Sequence, residues 1–215
     1  MATAFLSGLE QRLKSAKPGL PAQLKMVPSP RPGQKTYLDV GDDCLKAGVM
    51  LLLYPDAESW RLVFIRRTST VLHHKDQIGF PGGQIEPGED RIRAALRETW
   101  EELGVAPENI RIIGELTPLY IPPSGYCVYP VVGLAAAPPT FVPHPDEVAE
   151  VIEVSLDHLL NSANTREEHW TIRGEPLQVP FYAYHHHKIW GATAMILAEF
   201  LEIAAKARGF RPPRP

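Results

Sequence analysis

Three carboxylates fall within five residues in the run RETWEELG, as Glu98, Glu101 and Glu102. A helix through this run would end at Gly104, placing the acids where the helix dipole is already negative. Carboxylates three and four apart on a helix repel by roughly 0.2–0.5 kcal/mol per pair. On a wheel of 100° per residue, Glu98 and Glu102 lie about 40° apart, with Glu101 about 60° from Glu98 on its other side. All three therefore leave one side of the helix. An ion pair from Arg97 to Glu101 at i,i+4 explains one acid, whereas a hard divalent cation explains all three. Such ions take carboxylate oxygens, water and substrate phosphates. A local rule broken without local compensation marks the place where a functional site is expected.

Upstream stands GFPGG, Gly79 to Gly83, whose glycines allow the backbone to approach a ligand closely. Taken alone, FPGG reads equally well as a turn. The elements that must position these residues are legible in the same stretch. AGVMLLLYP and WRLVFIRR are β-rich runs separated by DAES and predict a hairpin. The segment TSTVLHHKDQIGFPGGQIEPG is too polar and glycine-rich for regular structure through most of its length. A helix is expected from about Glu89 to Leu103, with Ile92, Ala95, Leu96, Thr99 and Leu103 on its buried stripe. Gly104 serves as its C′ residue. RIIGELTPL, YCVYPVVGLA and EVAEVIEVSL predict further strands. HWTI and LQVPFYAY flank a turn at RGEP, and a last helix runs from about Ala192 to Ala207. Strands enclosing one helix and closing on another imply a layered α/β or α+β domain with a mixed sheet.

From Gly83 the order is Gly, five residues, Glu89, seven residues, Arg97-Glu98, two residues, Glu101-Glu102, one residue, Gly104 and then Val105. This resembles the full Nudix box of hydrolases that cleave nucleoside-diphosphate-linked compounds, and all seven fixed positions match. One softer position, usually aliphatic, holds Thr99. The resemblance implies the Nudix fold, an α/β/α sandwich around a mixed β-sheet, and Mg²⁺- or Mn²⁺-assisted hydrolysis of a diphosphate. Carried over by position, it makes Glu98, Glu101 and Glu102 metal ligands, with the Gly83 carbonyl in addition. Arg97 and Glu89 become the pair that orients the helix acids, and Gly104 supports the helix end. Catalysis would fall to Glu98, Glu101, Glu102 and Arg97. The general base would be Glu98 or a carboxylate in HPDEVAEV, where Glu147 is the choice.

The segment before the box, VFIRRTSTVLHHKDQIGFPGG, resembles the extra signature of coenzyme A pyrophosphatases. Arg67, His74, Gln77, Phe80, Pro81, Gly82 and Gly83 match it, while Leu72 and Asp76 depart from it. Substrate contacts are thus expected at Arg67, His74, Gln77, Phe80 and Gly82. Arginine suits phosphate through its bidentate fork. The implied substrate is coenzyme A or a derivative, giving 3′,5′-adenosine bisphosphate and (acyl-)4′-phosphopantetheine. ADP-ribose or another nucleotide is the alternative, followed by a non-catalytic binding domain of the same fold.

Length and charge bound the rest. The 215 residues suit one domain, expected over residues 36–208, with an N-terminal helix and irregular arm over 1–35 and a disordered tail over 209–215. Phe5, Leu6, Leu9 and Leu13 mark the apolar face of that first helix. A formal net charge of −3 argues against nucleic acid or a membrane surface as partner. The expected partner is a small, coenzyme A-like nucleotide, with a homodimer left open. Cys44 and Cys127 form neither a disulfide framework nor a metal-ligand spacing, which fits a reducing, cytoplasmic setting. Tyr126 and Trp190 either stack on substrate or pack in the core. HHH, His185 to His187, reads as a strand end, because neighbouring strand residues point to opposite faces.

Overall fold

The computed structural model describes residues 2–29, 44–57, 59–68 and 77–209. Strands β1 (Leu45–Pro55) and β2 (Trp60–Arg67) form the expected antiparallel hairpin, with Leu53 opposite Leu62. Short strands β3 (Ile78–Gly79) and β4 (Gly82–Gln84) lie within the segment read as irregular. They pair antiparallel with β2 and β1 respectively. Helix α3 (Arg91–Leu103) follows, and then β5 (Ile110–Glu115), β6 (Leu119–Ile121), β7 (Tyr126–Ala135) and β8 (Val148–Ser155). Among the described residues these eight strands form one mixed sheet, with β7 parallel to β1 at its centre. A second sheet holds β9 (Thr165–Ile172), β10 (Glu175–Tyr184) and β11 (His187–Trp190), all antiparallel.

Alternation along β1 and β2 separates the two faces of the main sheet. Leu51, Leu53, Leu62 and Phe64 join one apolar cluster with α1 (Ala2–Leu13) and α5 (Gly191–Ala207). Met50, Leu52, Tyr54, Val63 and Ile65 join the other, under Ala95 and Leu103 of α3. Helices thus cover both faces, giving the α/β/α layering. Phe5, Leu9 and Leu13 of α1 are buried at i, i+4 and i+8, as its pattern requires.

Four features depart from the sequence reading. Within the arm, α2 (Leu20–Gln23) forms, and Ser29 bridges to Gln178. A helix α4 (Leu156–Leu160), capped by the Ser155 hydroxyl, follows β8. The histidine run is a turn, with His185 at φ 52°, and its last member opens β11. Cys44 and Cys127 form a disulfide across a separation of 83 residues. The expectation of two reduced cysteines is therefore corrected, and with it the ground they offered for a reducing compartment. The parallel register brings them together, because Leu45 stands opposite Tyr126 and Lys46 opposite Cys127. Among the described residues, no helix is long and apolar enough to cross a membrane.

Candidate active site

Helix α3 starts one residue after Asp90, whose side chain accepts from the Ile92 and Arg93 amides at 2.9 Å. It ends on Gly104 at φ 71°, whose amide donates to the Trp100 carbonyl at 2.8 Å. Ala94, Ala95, Thr99, Glu102 and Leu103 are its buried residues. Thr99 is accommodated where an aliphatic residue is usual because its hydroxyl donates to the Ala95 carbonyl at 2.6 Å. Among these buried residues Glu102 is unexpected, because it carries a carboxylate into a buried face. It is fully enclosed, and the Gly82 amide donates to its Oε2 at 2.8 Å.

Glu102 Oε1 lies 3.1 Å from the Arg67 guanidinium but, among the described residues, makes no hydrogen bond with proper geometry. A buried carboxylate oxygen without a hydrogen-bond donor is costly. Burial pushes the Glu102 pKa up to about 8, against the pull of Arg67 and the Gly82 amide, while Glu98 and Glu147 push it further up. That coupling places Glu147 within electrostatic reach of the acids. The loop carrying it is tied to the end of α3, with the Val142 and His144 amides donating to the Leu103 and Glu102 carbonyls at 2.8 and 3.0 Å. Glu98 is also raised, chiefly by burial, against the pull of Arg97.

Arg97 organises the outer acids. It donates to both oxygens of Glu89, at 3.0 and 3.1 Å, to Glu98 at 2.8 Å and to Glu101 at 2.9 Å. It also donates to the Gln84 carbonyl at 3.0 Å, tying α3 to β4. Its hydrogen bond holds the Glu89 carboxyl below its ordinary pKa. Glu101 is the most exposed of the three acids. No sequence signal marks Gln84, since it acts through its backbone oxygen.

The glycines face the acids directly. A Cβ on Gly83 would fall inside the Glu98 carboxylate, and one on Gly82, at φ 151°, would strike the Gly48 carbonyl. Gly82 therefore lets this strand lie tight against β1, and Gly83 leaves the room that the Glu98 carboxylate of α3 occupies. Arg67 donates to the Gly82 carbonyl at 2.7 Å, which joins the hairpin strand to the same cluster. Among the other expected substrate residues, Gln77 sits beside Arg67 through its carbonyl but lines a cleft with Arg66 and His187. Phe80 is not in the cluster. It is buried and stacks on Phe64 with ring centroids 4.9 Å apart, on the α5 side of the sheet. His74 lies outside the described residues. Tyr126 reaches Gln84 at 3.4 Å, and Trp190 packs edge-on against Trp170.

An enclosed oxygen lacking a donor, two further acids and a cradle that a Cβ would fill fit a divalent cation held by oxygens. The model of the NUDIX domain matches residues 45–173, which span this whole arrangement. The chain belongs to the Nudix family. It is 36% identical over 142 residues to a Nudix hydrolase, NudL, of Photorhabdus laumondii, covering 66% of this chain and 75% of that one. It is 36% identical over 176 residues to the mouse mitochondrial coenzyme A diphosphatase NUDT8, covering 79% and 77%. A Nudix hydrolase structure from M. smegmatis, RenU, shares the fold at a TM-score of 0.51 and 16% identity, over 75% of this chain and 87% of that one. The protein is accordingly a Nudix pyrophosphohydrolase, of a family that acts on nucleoside-diphosphate-linked compounds with divalent metals.

Proposed function

We propose that this Nudix hydrolase cleaves the diphosphate of coenzyme A or its derivatives, yielding 3′,5′-adenosine bisphosphate and (acyl-)4′-phosphopantetheine. The observation that carries the reading is the position of Arg67. This arginine of the segment before the box is held by the Gly82 carbonyl against the Glu102 carboxylate. The likeness to coenzyme A diphosphatase NUDT8 over most of the chain supports it.

In this reading Glu98, Glu101, Glu102 and the Gly83 carbonyl hold Mg²⁺ or Mn²⁺. When bound, the cation neutralises diphosphate oxygens as a Lewis acid. Arg97 fixes the acids by spanning Glu89, Glu98 and Glu101. Arg67 carries further guanidinium donors beyond the one on Gly82, and these meet the phosphates. His74 and Gln77 extend the contact, Gly82 gives it room, and Phe80 acts from the core by setting the turn before Gly82. Glu147 takes a proton from a water that attacks phosphorus in line. The new bond is water oxygen to phosphorus, the bond broken is the bridging P–O, and the departing phosphate carries its electron pair.

The decisive test offers coenzyme A, acetyl-coenzyme A, ADP-ribose and a dinucleoside polyphosphate with Mg²⁺ or Mn²⁺ and identifies products by mass. Appearance of 3′,5′-adenosine bisphosphate with 4′-phosphopantetheine or its acyl form is expected. Cleavage of ADP-ribose with the coenzyme A compounds untouched would overturn the substrate.

A further inference from the structure

Sequence alternation separates His186 from His187, but the fold does not. His186 lies in the turn between β10 and β11, outside the strand rule, after His185 in the left-handed region. Its ring therefore swings beside that of His187, with centroids 3.9 Å apart and planes tilted by 41°. From another sheet, Glu150 of β8 brings its Oε1 to 3.2 Å from His187 Nε2. One donor atom from each of Glu150, His186 and His187 lies within 4.8 Å of the others. This convergence belongs to no part of the acid cluster described above. Glu150 pairs with Arg66 across β8 and β2, whereas Arg67 turns to the Gly82 carbonyl beside Glu102.

We infer that Glu150, His186 and His187 form a second cation site, taking a borderline transition metal of the Zn²⁺ class. Zinc bound at about 2.0–2.1 Å by nitrogen and oxygen sits in a tetrahedron whose edges are about 3.3–3.4 Å. The Glu150–His187 distance already matches such an edge. His186 is exposed at the turn with its ligand atom within 4.8 Å of the other two, so its ring has room to turn toward them. Two imidazoles with one carboxylate select against Mg²⁺, which takes oxygen ligands, and favour Zn²⁺ or its neighbours. Support around the ligands is also present. Arg66 donates to the second oxygen of Glu150 at 3.2 Å, the kind of outer contact that orients a ligating carboxylate. His186 and His187 border a cleft of about 390 Å³ shared with Arg66, Gln77, Lys188 and Trp190. That leaves space for water or an anionic ligand at a fourth position. Bound metal would clasp the β10–β11 hairpin to β8, joining the smaller sheet to the larger.

Among the described residues, hydrogen bonding accounts for His187, Glu150 and Arg66, whereas His186 has only its ring contact with His187. The test therefore rests on His186. Metal-stripped full-length protein is titrated with Co²⁺, whose four-coordinate form absorbs visible light far more strongly than an octahedral, all-oxygen form. Thermal midpoints are then read with and without Zn²⁺. The wild type and a Glu101→Gln/Glu102→Gln variant are expected to show the strong bands and a Zn²⁺-dependent rise in midpoint. His186→Ala should lose the bands and bind Zn²⁺ at least about tenfold more weakly, with its metal-free midpoint unchanged. Absence of the bands in the wild type, their survival in His186→Ala, or their loss in the box variant would overturn the site.

Discussion

Two glutamates on two helices are completely enclosed, and they are treated in opposite ways. Glu199 of α5 accepts from the Gly19 amide at 3.1 Å, the Gln23 side chain at 2.9 Å, and the Thr117 amide and hydroxyl at 3.1 and 2.7 Å. Both of its oxygens are used. Among the described residues, Glu102 of α3 receives one hydrogen bond on Oε2, and its Oε1 has only the ion pair with Arg67. A satisfied buried carboxylate ties chain segments together, here the arm before α2 and the β5–β6 connection onto α5. An underbonded one retains its appetite for a cation. The difference teaches that burial alone does not mark a functional acid; the marker is burial with coordination left over.

Glu102 should be the more sensitive of the two glutamates. Glu102→Gln keeps shape and removes charge, so turnover should fall on the order of 10²–10³ fold. The thermal midpoint of the metal-free protein should stay level near pH 5 and rise relative to the wild type toward pH 8, where the wild-type carboxyl is forced to give up its proton in a buried place. Steady-state kinetics with coenzyme A and a melting curve on the same preparation check both halves. A variant that unfolds while its folded fraction turns over normally would show that Glu102 is the structural member of the pair.

Glu199→Ala should do the reverse. It strands two backbone amides, a carboxamide and a hydroxyl among buried atoms, for a loss of about 3 kcal/mol. In a chain of this size that lowers the midpoint by roughly 6–12 °C. Turnover measured well below the midpoint should be unchanged, since the cluster around Arg97 contains none of Glu199's partners. Loss of turnover without loss of stability would tie α5 to the chemistry.

How much of this contrast the sequence disclosed follows from chain distance. The acids, Arg97, Gly83 and Gly104 sit on one helix and its adjoining strand, so fixed spacing exposes them. Glu199 looks like any acid in a helix that is otherwise apolar, because its donors come from Gly19, 180 residues away, and from Thr117, 82 residues away. The disulfide depends on parallel pairing of β1 with β7, which a sequence pattern does not register. Phe80 matched a signature by position, yet a motif says nothing about which face of the sheet a side chain enters. Strands as short as β3 and β4 were hidden for a different reason. Their pairing is supplied by longer strands beside them, not by propensity of their own.

The smallest effect sharpens the comparison through pH. The Glu102 pKa is raised in the folded protein from an ordinary 4.5 to about 8, so the folded state holds a proton that the unfolded chain releases. Its contribution to stability is whole below about pH 4.5 and is lost as pH rises through about 8. Arg67 opposes the shift, while Glu98 and Glu147 reinforce it. In a chelator, the thermal midpoint of the wild type should therefore fall relative to Glu102→Gln between about pH 5 and pH 8. Added Mg²⁺, which favours the ionised carboxylate, should recover more stability at pH 8 than at pH 6. Subtracting the variant removes every titration the two proteins share, including those of the histidines. A difference curve that is flat across this window would mean that Glu102 is ionised without metal, and that the Arg67 ion pair already supplies the charge this carboxylate needs.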